Sequence, residues 1–471
     1  MCRRTLGLVL MSWALAPPMG SIAVAHAQQP AAPTPLVFDG VTVIDVQQGR
    51  RLPAQRVVII GDRIRSVGSM DTVRMPAGAR VVEAKGKYLI PGLWDMHTHS
   101  GRFTDVFYPL FIANGVTGIR DAGSPVPLDT LRLWRQEILA GIRVGPPRQL
   151  LSGQSVSGPE PGCQRSALTG SPQTCVADSA DARHYVDSLK TAGADMIKPR
   201  DVSRELWFVI AAEARRLGIP FGGHAQSETP IEASDSGARI IDHMQYKMGE
   251  LGLHGLCWAS EPSTSIERCQ PVAERFKRNG TWLVPTLMVY ALLATDRNTG
   301  FSSQTLITHF GERTHQFLSG SMLRGNWLHD SVNVDTKVNA TSSDSHGNMR
   351  VMQSVGLPIL AGTDVSSEDM QVMLPGFTLL MELAMYGAEG MTPLEALQTA
   401  TLNPAKFLHG TDSLGTVAPG KLADLVLLDA DPLADITNTT AIRAVVANGR
   451  YFDRVALDQL LAGVQARRQA P

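Results

Sequence analysis

Hydrophobic and polar positions change their period along this chain, and the changes divide it. From Leu36 to about Leu89 the texture is short, β-prone and turn-rich. Val41-Thr42-Val43-Ile44, Arg56-Val57-Val58-Ile59-Ile60 and Arg63-Ile64-Arg65-Ser66-Val67 read as strands, and Gly61-Asp62 marks a hairpin between the last two. The same texture returns in Ala423-Asp424-Leu425-Val426-Leu427-Leu428 and Ile442-Arg443-Ala444-Val445-Val446. No run is long enough for an independent sheet. The pattern therefore predicts one small β-sandwich-like domain, assembled from residues 36–90 and 406–455.

Between them, residues 91–405 alternate strand and helix patterns, which predicts parallel β/α units. Eight candidate strands end near His99, Asp121, Ser152, Lys198, His224, His243, Thr286 and Asp364. Helical patterns cover residues 203–217 and 375–389. The repeat number and span fit an α/β fold, a (β/α)8 TIM barrel whose C-terminal strand ends carry the chemistry. A polar insertion over residues 291–349 breaks the rhythm and reads as a lid or binding loop. Its His309, His315, His329 and His346 end no regular strand, so they are expected to be exposed or substrate-facing.

Residues 1–27 stand outside this scheme. Arg3 and Arg4 precede a short apolar run, and Ala25-His26-Ala27 offers small residues for cleavage, the pattern of a secretory signal peptide. The expected mature protein is exported, periplasmic or secreted. Export changes the meaning of the cysteines. Cys163 with Cys175 and Cys257 with Cys269 form two equally spaced local pairs in Pro- or Ser-rich loops, and in an oxidising compartment each predicts a disulfide that pins a loop. With 44% hydrophobic and 18% charged residues among 471, the composition is ordinary for one large domain plus a smaller one. The formal net charge of -1 supplies no basic surface for nucleic acid or an anionic membrane.

The candidate chemistry begins with His97-Thr98-His99. Residues i and i+2 of a strand face one side, so both imidazoles can meet a single cation. Ile219-Pro220-Phe221-Gly222-Gly223-His224 and Ala238-Arg239-Ile240-Ile241-Asp242-His243 are apolar runs ending in histidine. Leu357-Pro358-Ile359-Leu360-Ala361-Gly362-Thr363-Asp364 ends in aspartate, and Gly193-Ala194-Asp195-Met196-Ile197-Lys198 in lysine. Each has a plainer alternative: His224 and His243 as core histidines, Asp364 as a helix N-cap, Lys198 as an ammonium binding phosphate or carboxylate. A lysine desolvated beside metals can instead add carbon dioxide and become a carbamate.

In this order the residues resemble the metal-dependent amidohydrolase superfamily. The stretches Leu89-Ile90-Pro91-Gly92-Leu93-Trp94-Asp95-Met96-His97-Thr98-His99, Ala361-Gly362-Thr363-Asp364, Met391-Thr392-Pro393-Leu394-Glu395-Ala396-Leu397 and Leu414-Gly415-Thr416-Val417-Ala418-Pro419-Gly420-Lys421-Leu422-Ala423-Asp424 are similar to its imidazolonepropionase-like and Xaa-Pro-dipeptidase-like branch. Ochratoxin-degrading amidohydrolases belong beside it. The resemblance implies two divalent ions, zinc by default. His97, His99 and Asp364 would hold one and His224 and His243 the other, with a carbamate on Lys198 and a hydroxide bridging them. Asp364 would also move the proton from the attacking hydroxide to the leaving nitrogen.

The substrate implied is a small amide or short peptide, a dipeptide or an N-acyl amino acid with an aromatic or bulky group. A lactone or phosphotriester on the same metals is the alternative, and a barrel scaffold without catalysis is disfavoured because the ligands are all kept. Arg120 is a candidate partner for a substrate carboxylate, or a structural partner of Asp121 or Asp95. Gln226 replaces a tyrosine common in the dipeptidase-like enzymes, and Tyr246 can offer a phenolic donor. Trp258, Trp282 and Phe301 suit an aromatic pocket, Ser227 stands where mononuclear deaminases carry glutamate, and a homo-oligomer is left open.

Overall fold

The computed structural model describes residues 33–101, 104–158, 174–225, 229–244, 253–257, 262–289, 348–366 and 373–469. All but Pro33 belong to the compact unit Thr34–Pro471. The two strand-rich ends of the chain meet in one eight-stranded sheet. Its order runs Arg450–Phe452, Ile442–Ala447, Leu425–Leu428, Tyr88–Pro91, Leu36–Asp45, Arg50–Ile60, Arg63–Ser69, with Arg80–Glu83 also pairing Leu36–Asp45. The seam is the antiparallel pair of Leu425–Leu428 with Tyr88–Pro91. Alternating apolar positions such as Phe38, Val41, Val43, Val57, Ile59, Leu89, Leu425 and Leu427 bury one face of it. The hairpin falls at Gly61, whose φ of 61° suits a glycine.

The chain enters the TIM barrel directly from this sheet, since Tyr88–Pro91 runs on into the first barrel strand, Leu93–His99. That strand pairs in parallel with Val116–Asp121, which pairs with Arg148–Leu151. The fourth run joins the third through Asp195 N–H to the Leu151 carbonyl, 2.8 Å. It joins the fifth through the parallel bridge Ile197 to Phe221. Gly222–Gly223, Ile240–Asp242 and Trp282–Val284 follow as parallel neighbours. The eighth run meets the seventh through Leu283 to Ile359. It returns to the first through Met96 N–H to Ala361 O and Asp364 N–H to His97 O, both 2.8 Å.

Two details differ from the expected strands. The fourth regular strand is Pro199–Val202, so Lys198 precedes it, and the eighth is irregular up to Asp364 with a strand only at Val365–Ser366. Trp94, Met96, Met196, Ile240, Val284 and Leu360 pack into a buried apolar plug with Phe407. Met196 and Ile240 stand two residues before Lys198 and Asp242, so the plug lies one step deeper than the polar groups. Trp282 starts the seventh strand and packs edge-on against Phe407, ring centroids 6.5 Å apart. It sits at the strand's opposite end from the chemistry, which corrects its assignment to a substrate pocket. Trp258 and Phe301 lie outside the described residues, as does the insertion up to residue 347.

The helices obey local signals. Ser203 caps Arg204–Leu217 by accepting the Leu206 N–H, and Gly218 closes it at φ 61°. Thr392 and Glu395 form a capping box on Pro393–Thr399. Cys257 and Cys269 are disulfide-bonded, but the bridge joins helix Leu253–Cys257 to helix Pro262–Asn279 and is buried, where loops were expected. Cys175 is also disulfide-bonded, and Cys163 lies outside the described residues.

Packing between strands eight and one is tight at Gly362. A Cβ there would stand 2.5 Å from Val284 Cγ1 and 2.8 Å from the backbone nitrogen of His97. Gly362→Ala is therefore expected to destabilise the metal-free protein by about 1–3 kcal/mol, the usual cost of overpacking. Chemical denaturation measures it, and an unchanged midpoint would contradict this contact.

Candidate metal centre

Four histidines and an aspartate converge at the C-terminal ends of the barrel strands. His97 Nε2 lies 3.3 Å from His99 Nε2 and 3.2 Å from Asp364 Oδ1. His99 Nε2 is 3.1 Å from the same oxygen. His243 Nε2 is 3.1 Å from His224 Nε2 and 3.8 Å from Asp364 Oδ2. Two groups with metal-ligating geometry result, His97–His99–Asp364 and His97–His224–His243, and they share His97.

The outer ring nitrogens set the tautomers. His99 Nδ1 stands 2.8 Å from the carbonyl of Gly123, which only accepts, so His99 donates from Nδ1. His243 Nδ1 is 2.7 Å from Thr286 Oγ1, whose own proton goes to the Pro285 carbonyl at 2.8 Å, so His243 also donates from Nδ1. The Nε2 atoms turned inward at these two rings are thus bare lone pairs. Burial holds the imidazoles neutral: it pushes His97 down to about 3, His243 to about 4 and His224 well below its ordinary value. Bare nitrogens crowded against other nitrogens and a carboxylate repel, and a cation between them relieves the repulsion. The donor set fits a divalent ion.

Burial opposes the ionisation of Asp364, yet the charge and hydrogen bonding that His97, His243 and His99 supply in their protonated forms outweigh it and hold the carboxyl below the usual range. Its side chain is 24% exposed and that of His99 19%, while His97 is wholly buried. Among these ligands the described residues leave Asp364 and His99 the most open to solvent.

Backbone strain marks the same place. His243, Thr286 and Asp364 have φ of 68°, 51° and 60°, at the ends of strands six, seven and eight. Left-handed non-glycine residues cost on the order of 1–3 kcal/mol each and persist where their surroundings enforce them. One enforcing group is buried Glu382, which accepts the N–H groups of Leu287 and Met288 just after Thr286, at 2.7 and 2.8 Å. Another is buried Asp95. It accepts the N–H groups of His97 and Thr363 and the Thr363 hydroxyl, at 3.2, 3.1 and 2.8 Å, and so ties strand one to the residue before Asp364.

Lys198 is buried inside the barrel with its Nζ on Asp242 Oδ2. Burial pushes its ammonium down to about 8 against the pull of Asp242, with Arg120 helping to lower it. Gly223 gives its stem room, since a Cβ there would stand 2.8 Å from Lys198 Cδ. Arg120 is not available to a substrate. It is wholly buried, and its guanidinium pairs with Asp242, Nη1 to Oδ1 at 2.7 Å and Nη2 to Oδ2 at 3.1 Å. The substrate-carboxylate role expected for Arg120 is corrected accordingly, and its partner is neither Asp121 nor Asp95. Gln226 and Tyr246 lie outside the described residues. Asp242, Asp95 and Thr286 are not singled out by motif. The available signal was a lone acid in an apolar strand, as in Ile240-Ile241-Asp242.

The comparisons with known proteins agree with this centre. The model for the amidohydrolase family matches residues 88–451, and the chain belongs to that family, whose members are metal-dependent. It is similar to the adenine deaminase of Rubrobacter xylanophilus, 25% identical over 443 residues, covering 91% of this chain and 59% of that protein. The chain thus spans about three-fifths of the length of that relative. Among solved structures it resembles one from Bifidobacterium longum assigned as a prolidase, with TM-score 0.65, 24% identity and coverage of 92% and 99% of the two chains. It also resembles the ochratoxinase of A. niger, with TM-score 0.62, 20% identity and coverage of 90% and 96%. At these identities the two structures speak for the fold, a TIM barrel with an attached β domain.

Proposed function

We propose that this protein is a binuclear metal-dependent hydrolase that cleaves an amide or peptide C–N bond in a dipeptide or N-acyl amino acid. The observation carrying the proposal is the pair of ligand groups that share His97 and open to solvent at Asp364 and His99. His97, His99 and Asp364 would hold one ion and His224 and His243 the other, with Lys198, as its carbamate, bridging them. Bound divalent ions, zinc by default, polarise the scissile carbonyl and make water nucleophilic near neutral pH. Asp364, whose carboxyl lies below the usual carboxylate range, would take the proton of the attacking water and return it to the leaving nitrogen. The buried faces of His97, His224 and His243 exclude water from the inner side, so attack comes from the Asp364 side. Relatives named adenine deaminase, prolidase and ochratoxinase all act, by their names, on C–N bonds, which supports this class of bond.

Zinc-loaded protein tested on dipeptides, N-acyl amino acids, lactones, phosphotriesters and adenine separates the substrate classes. Turnover of a dipeptide or N-acyl amino acid is the expected result. Turnover confined to the lactone, the phosphotriester or adenine would replace the proposal. Export remains our proposal too, supported by the Cys257–Cys269 bridge. Thiol titration of unreduced protein isolated from its native cells tests it, and free thiols at those positions would count against it.

A further inference from the structure

Asp242 joins four strands through one carboxylate. Its Oδ1 takes Arg120 Nη1 at 2.7 Å and faces His97 Nδ1 at 3.3 Å, while its Oδ2 takes Arg120 Nη2 at 3.1 Å and Lys198 Nζ. Arg120 comes from strand two and Asp242 from strand six, so the pair spans the barrel interior. The guanidinium is anchored further by Nη1 to the Met96 carbonyl, 3.1 Å, and Nη2 to the Gly222 carbonyl, 3.4 Å. Its Nε is buried without a hydrogen-bond partner, and the whole side chain is closed to solvent. His97 Nδ1 is a buried atom that makes no hydrogen bond of good geometry, and the acceptor it faces is Asp242.

We propose that Arg120 and Asp242 are a positioning pair for the metal centre: Asp242 fixes the Nδ1–H tautomer of His97 and the reach of Lys198, and Arg120 locks Asp242 in place. This deepens the binuclear reading and rests on it. A ligating histidine needs its outer nitrogen held by an acceptor, so that the inner one is bare and aimed. His99 and His243 have Gly123 and Thr286 for this, and Asp242 is the corresponding group for His97. Among the described residues, Asp242 is also the carboxylate that meets both His97, shared by the two ligand groups, and Lys198. Its orientation therefore bears on both ions at once. Arg120 keeps it there with a planar, two-point contact that a single ammonium does not reproduce.

Arg120→Lys keeps the buried charge and removes the two-point contact, so it is a gentler test than Asp242→Asn, which leaves the buried guanidinium without its counterion. Three quantities are compared with the unaltered protein: zinc affinity of the metal-free chain by competition with a chromophoric chelator, thermal midpoint, and KM and kcat on the best substrate of the panel above. We expect zinc affinity to fall about 10–100-fold, the usual cost of losing an outer partner of a ligand. We expect kcat to fall with it at fixed zinc, and KM to stay unchanged, because Arg120 does not touch substrate. A raised KM with unaltered zinc affinity would mean that Arg120 binds substrate, and a lowered midpoint alone would mean a purely structural pair. Either result overturns the proposal.

A second measurement needs no folded variant at this position. In 15N-histidine-labelled metal-free protein, the His97 ring, assigned through His97→Gln, is expected in the Nδ1–H form. The Nε2–H form would overturn the proposal. Failure of the binuclear reading looks different: the unaltered protein would then bind no zinc pair, whatever the tautomer of His97.

Discussion

Asp364→Asn is expected to lower amide hydrolysis by roughly 10²–10⁴-fold, the range for losing a positioned proton-transfer group, while leaving the fold intact. The substitution isolates chemistry from structure because of the backbone there. Asp364 has a φ of 60°, a region that asparagine enters more readily than most residues, so the strained strand end keeps its shape. Its amide still reaches the neighbourhood of His97 Nε2 and His99 Nε2, now 3.2 and 3.1 Å from the carboxylate, but it carries no charge and holds no proton. Zinc affinity should weaken as well, since a neutral amide is a poorer ligand than a carboxylate. Steady-state kinetics at saturating zinc, with the circular dichroism spectrum as the check on folding, measures the effect. A variant within several-fold of the parent would remove Asp364 from the proton path. Asp364→Ala is a worse test, because a residue without a polar side chain gains nothing from the left-handed conformation.

The second large effect is expected at Lys198. Lys198→Ala should retain a folded protein but bind one zinc per chain in place of two. Activity should fall by roughly 10³-fold or more, because losing one of two cations removes several kcal/mol of charge stabilisation. Folding should survive for a reason visible in the interior: Asp242 loses Lys198 but keeps both bonds to Arg120, so no buried carboxylate is left unpaired. Zinc content by elemental analysis and kinetics on the same preparation are the measurements. A fully active variant with two zinc ions would end the bridging role of Lys198. Its ammonium would then be a structural partner of Asp242, the plainer role that its buried ion pair also fits.

The candidate ligands were legible in the sequence because barrel strands are short, apolar and locally encoded. His224 and His243 follow glycine-rich or β-branched runs, and both are strand ends in the fold. His97-Thr98-His99 needed only the two-residue period of a strand to face one way. The boundaries of the helix at Ser203 and Gly218 were equally readable, since a cap is satisfied by residues three or four positions away. The β domain at the two ends of the chain was visible from texture, and the seam at Tyr88–Pro91 follows from it.

Other features carry no local signal. Arg120 and Asp242 are 122 positions apart, and their pairing arises when strands two and six face each other across a common interior. Without that geometry, a buried arginine at a strand end reads as a substrate contact. The strain at His243, Thr286 and Asp364 is likewise collective, held by Glu382, Asp95 and the neighbouring strands, and it is greatest for β-branched Thr286. Trp282 shows the same division, since its strand is readable but the end of the barrel it faces depends on where the strand begins. Residue types and short-range order thus specify strands, caps and the candidate ligands His97, His99, His224, His243 and Asp364. Which buried charge meets which, and how each imidazole is turned, is settled by long-range packing, because those partners become neighbours when the strands come together around one interior.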